Sequence, residues 1–121
     1  MKLQPDSIQG PVINAYGEGW VEINGIKVVS SVVLSARGPQ FAWNVENFDD
    51  LHASHFEQLA PLEAEMVLFG SGKRIRFPQP QWLQALHALR IGVETMDTQA
   101  ACRTYNFLAS EGRHVVVALL L

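Results

Sequence analysis

The residues predict an α/β domain with helices packed on a mixed β-sheet, and three observations carry that expectation. From Glu65 onward, short apolar runs alternate with segments of helical period in the order β, α, β, α, β. The last run, HVVVALLL from His114 to Leu121, is apolar enough for a strand covered on both faces. Near the start, Asn24-Gly25 stands between two β-like segments, as a type I′ hairpin turn requires when both central residues take positive φ.

Taken in order, WVEI at Trp20–Ile23 and IKVV at residues 26–29 are the arms of that hairpin. A further strand is expected over 31–34, a loop at Arg37-Gly38-Pro39, and a short strand over 41–45. Asn47 suits the N-cap of a helix reaching about Leu59, with Asp49 and Asp50 in its first turn, where the helix dipole favours negative charge, and Pro61 to end it. Residues 66–69 read as an apolar strand running into Gly70-Ser71-Gly72. Pro80 suits the first position of a helix over 81–91, and Gly92 its C-terminal cap. A strand over 93–96, a helix over about 98–111 and a strand over 115–121 complete the series. The βαβ order calls for right-handed crossovers, with the hairpin at the N-terminal side of the sheet. There is no internal repeat, low-complexity segment or linker, so one domain over 1–121 is expected.

A chain of 121 residues is long enough to bury one real core. Charged residues make up 17%, below the roughly 25% usual for soluble domains, which favours a protein partner or self-association into a homo-oligomer. A net charge of −3 gives no global basic field toward nucleic acid or an anionic membrane. Cys102 is the single cysteine, which suits a reducing compartment. The opening MKLQPDSIQGP has no apolar core of signal-peptide length, and no run approaches the ~20 residues that span a bilayer. The expected location is the cytoplasm, without membrane insertion. The opening also lacks transit-peptide character.

Four places could carry chemistry. On the last helix, Ala101, Thr104, Tyr105, Leu108 and Ala109 share one arc, while Arg103, Asn106, Ser110 and Arg113 share the other. Arg103, Asn106 and Arg113 form either a polar cluster for an anion or partner, or an ordinary solvated face; the solvated face is the commoner outcome. Cys102 beside Arg103 lacks a base on its own helix and reads as a small buried hydrophobe. Gly70-Ser71-Gly72-Lys73 follows a strand but lacks the spacing and the following Ser or Thr of a Walker A loop. His52 and His55 fall on the apolar arc with Phe48, Leu51, Phe56 and Leu59, with Asp49 rotated away, so they read as core-covering residues rather than metal ligands. No catalytic constellation is visible by spacing, and neither a metal nor a cofactor is implied.

One stretch is specific: Met96-Asp97-Thr98, then Ala100-Ala101-Cys102-Arg103-Thr104-Tyr105-Asn106, Leu108 and Glu111-Gly112-Arg113. With Tyr16-Gly17, Val21-Glu22-Ile23-Asn24-Gly25, Trp43 and Val67-Leu68-Phe69-Gly70-Ser71-Gly72, it resembles the Mth938-like domain family (DUF498). That family includes assembly factors of mitochondrial respiratory complex I. The resemblance implies a three-layer α/β fold with a central mixed sheet, no settled enzymatic activity, and no established cofactor. It also implies a non-catalytic assembly or interaction role with a protein partner, in biogenesis of a membrane respiratory complex. The family's motif residues fall here on Gly70, Gly72, Asp97, Thr98, Arg103, Asn106 and Arg113; Ser71 replaces the usual Thr and keeps the hydroxyl. The rival expectation is a binder of a small anion, or an enzyme, with its pocket between the Gly70-Ser71-Gly72-Lys73 loop and the helix start at Asp97-Thr98. There Lys73 and Arg103 would add charge, and Ser71 and Asn106 hydrogen bonds.

Overall fold

A computed structural model of the protein describes residues 10–121. Three strands come first: β1 (Ile13–Gly17), β2 (Trp20–Ile23) and β3 (Ile26–Val28) form an antiparallel meander of their own. The five that follow are β4 (Val32–Ser35), β5 (Gln40–Ala42), β6 (Met66–Gly70), β7 (Gly92–Met96) and β8 (Val115–Leu119). They make a second sheet in the order β5-β4-β8-β6-β7. It is mixed, with β4 antiparallel to β5 and β8, and β6 parallel to β7 and β8.

Because side chains alternate along a strand, this sheet has two apolar faces. Val33, Val67, Phe69, Val116 and Ala118 point to one, which is covered by α1 (Ala53–Glu57), α2 (Gln84–Ala88) and the short 3₁₀ turns around them. Trp43, Phe56 and Phe69 meet edge to face there, with ring centroids 5.4 to 6.0 Å apart. Val32, Leu34, Leu68, Val115, Val117 and Leu119 point to the other, which is covered by α3 (Thr98–Ser110) and by Ile13, Val21 and Ile23 of the meander. The result is three layers around the sheet. All five residues of β8 are buried, as a strand with neighbours on both edges and covers on both faces must be.

The hairpin turn is as expected, with Asn24 at φ 49° and Gly25 at φ 84°. Its strands, however, do not extend the main sheet; they lie in the layer that shares α3's face, and β1 joins them as an unforeseen third strand. A bulge between Ile13 and Ala15 breaks the period-2 pattern that would have revealed β1. The single-domain expectation also covers residues 1–9, which lie outside the described residues.

Two predicted helices are corrected. The segment over 47–59 is a 3₁₀ turn at Phe48–Asp50, then α1, then a 3₁₀ turn at Ala60–Leu62 that contains Pro61. Leu51 and His52 between the first two are extended, which places the Leu51 side chain in the core at 3% exposure. His55 Nδ1 then accepts the His52 amide at 3.0 Å and starts the helix afresh, while Asn47 makes no side-chain cap. The second segment is a 3₁₀ turn at Pro80–Leu83, with Pro80 at its start as expected, followed by α2. Its stop is not Gly92, which is already the first residue of β7, but Arg90 at φ 61°. The Ile91 amide donates to Leu86 O and the Arg90 amide to His87 O, both at 2.9 Å, the paired closure of a Schellman motif.

A side chain in the left-handed region costs roughly 1–2 kcal/mol, which glycine avoids. Arg90→Gly is therefore expected to stabilise the protein by about 1 kcal/mol in chemical denaturation. Gly92→Ala, at a position with ordinary φ and open space for a Cβ, is expected to be neutral or slightly stabilising. A loss of stability in both variants would put the left-handed residue at 92 instead.

Candidate functional site

Parallel pairing sets Gly70 of β6 opposite Met96 of β7, so the two outgoing loops start side by side. From there the chain after β6 turns to the aromatic face, and the chain after β7 turns to α3 on the opposite face. Such a divergence usually leaves a crevice at the carboxyl ends of the strands. In this protein the divergence is stitched shut. The Ser71 amide donates to Met96 O, the Thr98 amide to Gly72 O, and the Gly72 amide to Thr98 Oγ1, each at 2.9 Å. Thr98 Oγ1 in turn donates to Leu120 O at 2.7 Å, and the Leu120 amide donates to Gly70 O at 2.9 Å.

The residue types follow from this joint. A Cβ on Gly70 would stand 2.8 Å from Leu119 Cδ2 and 3.1 Å from both Thr98 Cα and Oγ1, so a side chain there would displace the Leu119 side chain and crowd the Thr98 backbone. Gly72 takes φ 107°, a conformation side chains rarely adopt. Ser71 is buried; its Oγ donates to Arg74 O at 2.8 Å and accepts the Arg76 amide at 3.0 Å, closing the loop on itself. Asp97 caps α3, its carboxylate accepting the Ala100 amide at 3.0 Å and its carbonyl the Ala101 amide at 3.0 Å. The amides expected to cradle an anion are thus largely occupied by the protein's own oxygens, and a carboxylate sits where the anion would.

Beside the joint, between the β1–β2 turn and the start of α3, lies an open cleft of about 570 Å³. Glu18, Lys73, Asp97, Gln99 and Leu121 are among its walls. Lys73 and Glu18 pair across its mouth at 3.0 Å, with side chains 82% and 75% exposed. Two carboxylates and one lysine make it a mixed-charge cleft rather than a basic one. Glu18 and Gln99 gave no sign in the sequence, since nothing in local spacing brings a hairpin turn to a helix start.

The remaining candidates lie elsewhere. Asn106 Nδ2 donates to Ile13 O at 2.7 Å and Oδ1 accepts the Ile13 amide at 3.1 Å, so this side chain replaces a strand partner beside the bulge. Arg103 donates to the Tyr16 hydroxyl at 3.1 Å and lies 5.9 Å from its ring centroid. Tyr105 completes the contact, its buried hydroxyl donating to Pro11 O at 2.6 Å and its pKa pushed up by burial. Arg113 is at the opposite end of the sheet, where its Nε donates to Glu65 Oε1 at 3.0 Å and Glu65 Oε2 accepts the His114 amide at 3.0 Å. The Glu65 carboxyl is held below its usual range by the His114 amide first and by Arg113 second. The expected cluster of Arg103, Asn106 and Arg113 is therefore split: the first two fasten the meander to α3, and the third fastens β6 to β8.

Cys102 is fully buried, and burial pushes its thiol up to about 12 despite Arg103, the opposite of a nucleophile's environment. His55 is half-buried as expected, edge-on to Trp43, with Nε2 3.0 Å from Asn44 O. His52 is exposed, because the break at Leu51 rotates it off the apolar arc. Among the described residues, no three His, Cys, Asp or Glu side chains converge as metal ligands.

Thr98→Val removes the hydroxyl and leaves the Gly72 amide and Leu120 carbonyl without their partner. The Leu120 carbonyl is buried and the Gly72 amide, on the wall of the open cleft, half-buried; at about 1–3 kcal/mol for a buried unsatisfied group, the expected loss is about 2 kcal/mol in denaturant unfolding. Thr98→Ser keeps the hydroxyl and should lose about 1 kcal/mol or less. Equal losses in the two variants would show that the methyl group, not the hydroxyl, matters at this position.

Across residues 13–120 the chain matches a family model described as "Protein of unknown function (DUF498/DUF598)". It is similar to the human protein named NADH dehydrogenase (ubiquinone) 1 alpha subcomplex assembly factor 3, at 36% identity over 120 residues. That alignment takes in 98% of this chain but 65% of the human protein, so the chain spans just under two thirds of that relative's length. The crystal structure of a Bordetella parapertussis protein superposes with a TM-score of 0.86 at 42% identity, covering 91% of this chain and 94% of that one. A solution structure from Bordetella pertussis, described as a Mth938-like domain, gives a TM-score of 0.83 at 35% identity, covering 99% and 92%.

Proposed function

The chain belongs to the DUF498/DUF598 family, and from its likeness to a named assembly factor we propose that it is a non-catalytic assembly or protein-interaction factor in the biogenesis of a membrane respiratory complex. Its fold is the three-layer Mth938-like α/β fold. The observation that carries the proposal is the extent of the likeness to the human assembly factor, which runs through 98% of this chain and therefore includes the joint, the meander and the central sheet. Because the human protein has a further third of its length outside the alignment, its partners come to this chain as part of the proposal.

The polar groups favour the same reading. Ser71, Thr98 and Asn106 each spend their hydrogen bonds inside the protein, and Arg113 gives its Nε to Glu65. A group held this way fixes geometry but is not free to move a proton to or from a substrate. We place the protein in the cytoplasm; among the described residues no helix is long and apolar enough to cross a membrane. Its partner is a protein, and a second copy of the chain is an alternative occupant of the same surfaces. In this reading Gly70, Ser71, Gly72, Asp97, Thr98, Arg103, Asn106 and Arg113 act by holding the shape the partner meets, and the exposed Lys73 belongs to the surface it meets.

The rival reading, a small-anion binder at the 70–73 loop, rests on the cleft beside Lys73 and Gln99. It is the weaker one because Asp97 and Glu18 face any anion that enters. Affinity purification of the tagged chain from its native cell, from soluble and membrane fractions, tests the assembly reading. Stoichiometric recovery of one or more proteins is the expected result. Recovery of none, together with phosphate-dependent shifts of the Gly72, Thr98 and Gln99 amide resonances, would replace it with the rival.

A further inference from the structure

Residues 73–77 read Lys-Arg-Ile-Arg-Phe, placing three of the nine Lys and Arg residues in four consecutive positions of a chain whose net charge is −3. The Ser71 hydroxyl pins the base of this loop through Arg74 O and the Arg76 amide. Arg76 is turned inward, its guanidinium 4.2 Å from the Phe48 ring centroid and 2.9 Å from Asp49 Oδ1, and Pro78 is buried. Ile75 and Phe77, which alternate with them, are left outward at 52% and 74% exposure. Side chains two apart in an extended segment stand roughly 6–7 Å apart on one side, so these two form a small apolar wedge held by a fastened loop. Exposed apolar side chains usually occur singly; two adjacent ones flanked by cations are a feature to explain.

We infer that this loop rests the protein on the headgroup layer of an anionic phospholipid bilayer, with Phe77 and Ile75 entering the interface and Arg74 and Lys73 meeting lipid phosphates. The size of the wedge favours a membrane over a protein partner. Two side chains offer at most a few hundred Å², against the roughly 800 Å² per partner of a stable protein interface. The chemistry favours it as well, since an aromatic side chain beside cations is the composition that settles at a lipid interface. Local charge is available although the chain is acidic overall. The Lys73–Glu18 pair is almost fully exposed and so holds lysine only loosely, free to exchange its carboxylate for a phosphate. Arg76 stays with Asp49 and Phe48, leaving the wedge to supply most of the attraction and Arg74 the preference for anionic lipid. Binding of this kind is reversible and needs no spanning segment.

Co-sedimentation of the full chain with vesicles tests the inference, using phosphatidylcholine alone and phosphatidylcholine mixed with phosphatidylglycerol at low ionic strength. The chain is expected to pellet with the mixed vesicles and more weakly with phosphatidylcholine. Phe77→Ser should lower partitioning about tenfold or more, and Ile75→Ser by a similar factor. Arg74→Glu should remove the anionic preference while leaving the residual binding to phosphatidylcholine. These side chains are exposed, so thermal unfolding followed by circular dichroism should be unchanged in all three variants and serves as the control for folding. Absence of pelleting with the mixed vesicles, or pelleting that Phe77→Ser does not reduce, overturns the inference. So does a result in which Phe77→Ser abolishes recovery of a protein partner, or turns a dimer into a monomer, without vesicle binding in the parent chain. Partner recovery that persists while vesicle binding fails would leave the assembly reading standing and remove only this one.

Discussion

A single buried hydroxyl, that of Thr98, holds the carboxyl ends of β6, β7 and β8 together. It accepts from the chain leaving β6, donates to the chain leaving β8, and belongs to the helix that follows β7. Three elements that diverge to opposite faces of the sheet are thereby kept at hydrogen-bond distance from one atom. The surrounding residues adapt to it. A side chain at Gly70 would crowd Thr98 and displace Leu119, Gly72 supplies a left-handed turn, and Ser71 folds the next five residues back onto the joint. Buried polar networks of this sort are costly when incomplete and rigid when complete.

That completeness bears on function. In α/β proteins the diverging loops of adjacent strands commonly leave an open crevice lined by free amides, and ligands enter there. Here the amides of Ser71, Gly72, Thr98, Ala100 and Ala101 already have partners, and the Asp97 carboxylate occupies the positive end of α3. The Gly-rich loop is better understood as a fastening than as a cradle. What it leaves outward is the 73–77 segment and the rim of the mixed-charge cleft, surfaces suited to contact more than to chemistry. A role in assembly is consistent with a joint whose polar groups are spent on holding shape.

Elements set by burial were easiest to read from the residues. β8 is apolar at every position because both of its faces and both of its edges are covered, and the Asn24-Gly25 turn declares itself through the φ values it must adopt. Elements set by tertiary demand were not readable. The helix expected over 47–59 breaks because Leu51 must reach the core, and a helical period cannot show that. The stop after α2 falls on Arg90, whose left-handed conformation is enforced by the Leu86–Ile91 closure rather than by its own preference. Much the same division runs through the candidate site. Gly70, Gly72 and Thr98 could be placed together because parallel strands bring their outgoing loops to one edge. By contrast Asn106 meets Ile13, 93 positions away, and Arg113 meets Glu65, 48 positions away, and no local pattern records such pairings.

Native-state hydrogen exchange at the Gly72 and Thr98 amides tests most directly whether the joint is a closed structural fastening. If it is, both amides exchange only through global unfolding, with the same free energy as the central amides of β8, and added phosphate leaves their rates unchanged. Exchange at either amide through a local opening well below the global free energy, or protection that rises with phosphate, would contradict the account and make the joint a site that opens for a ligand.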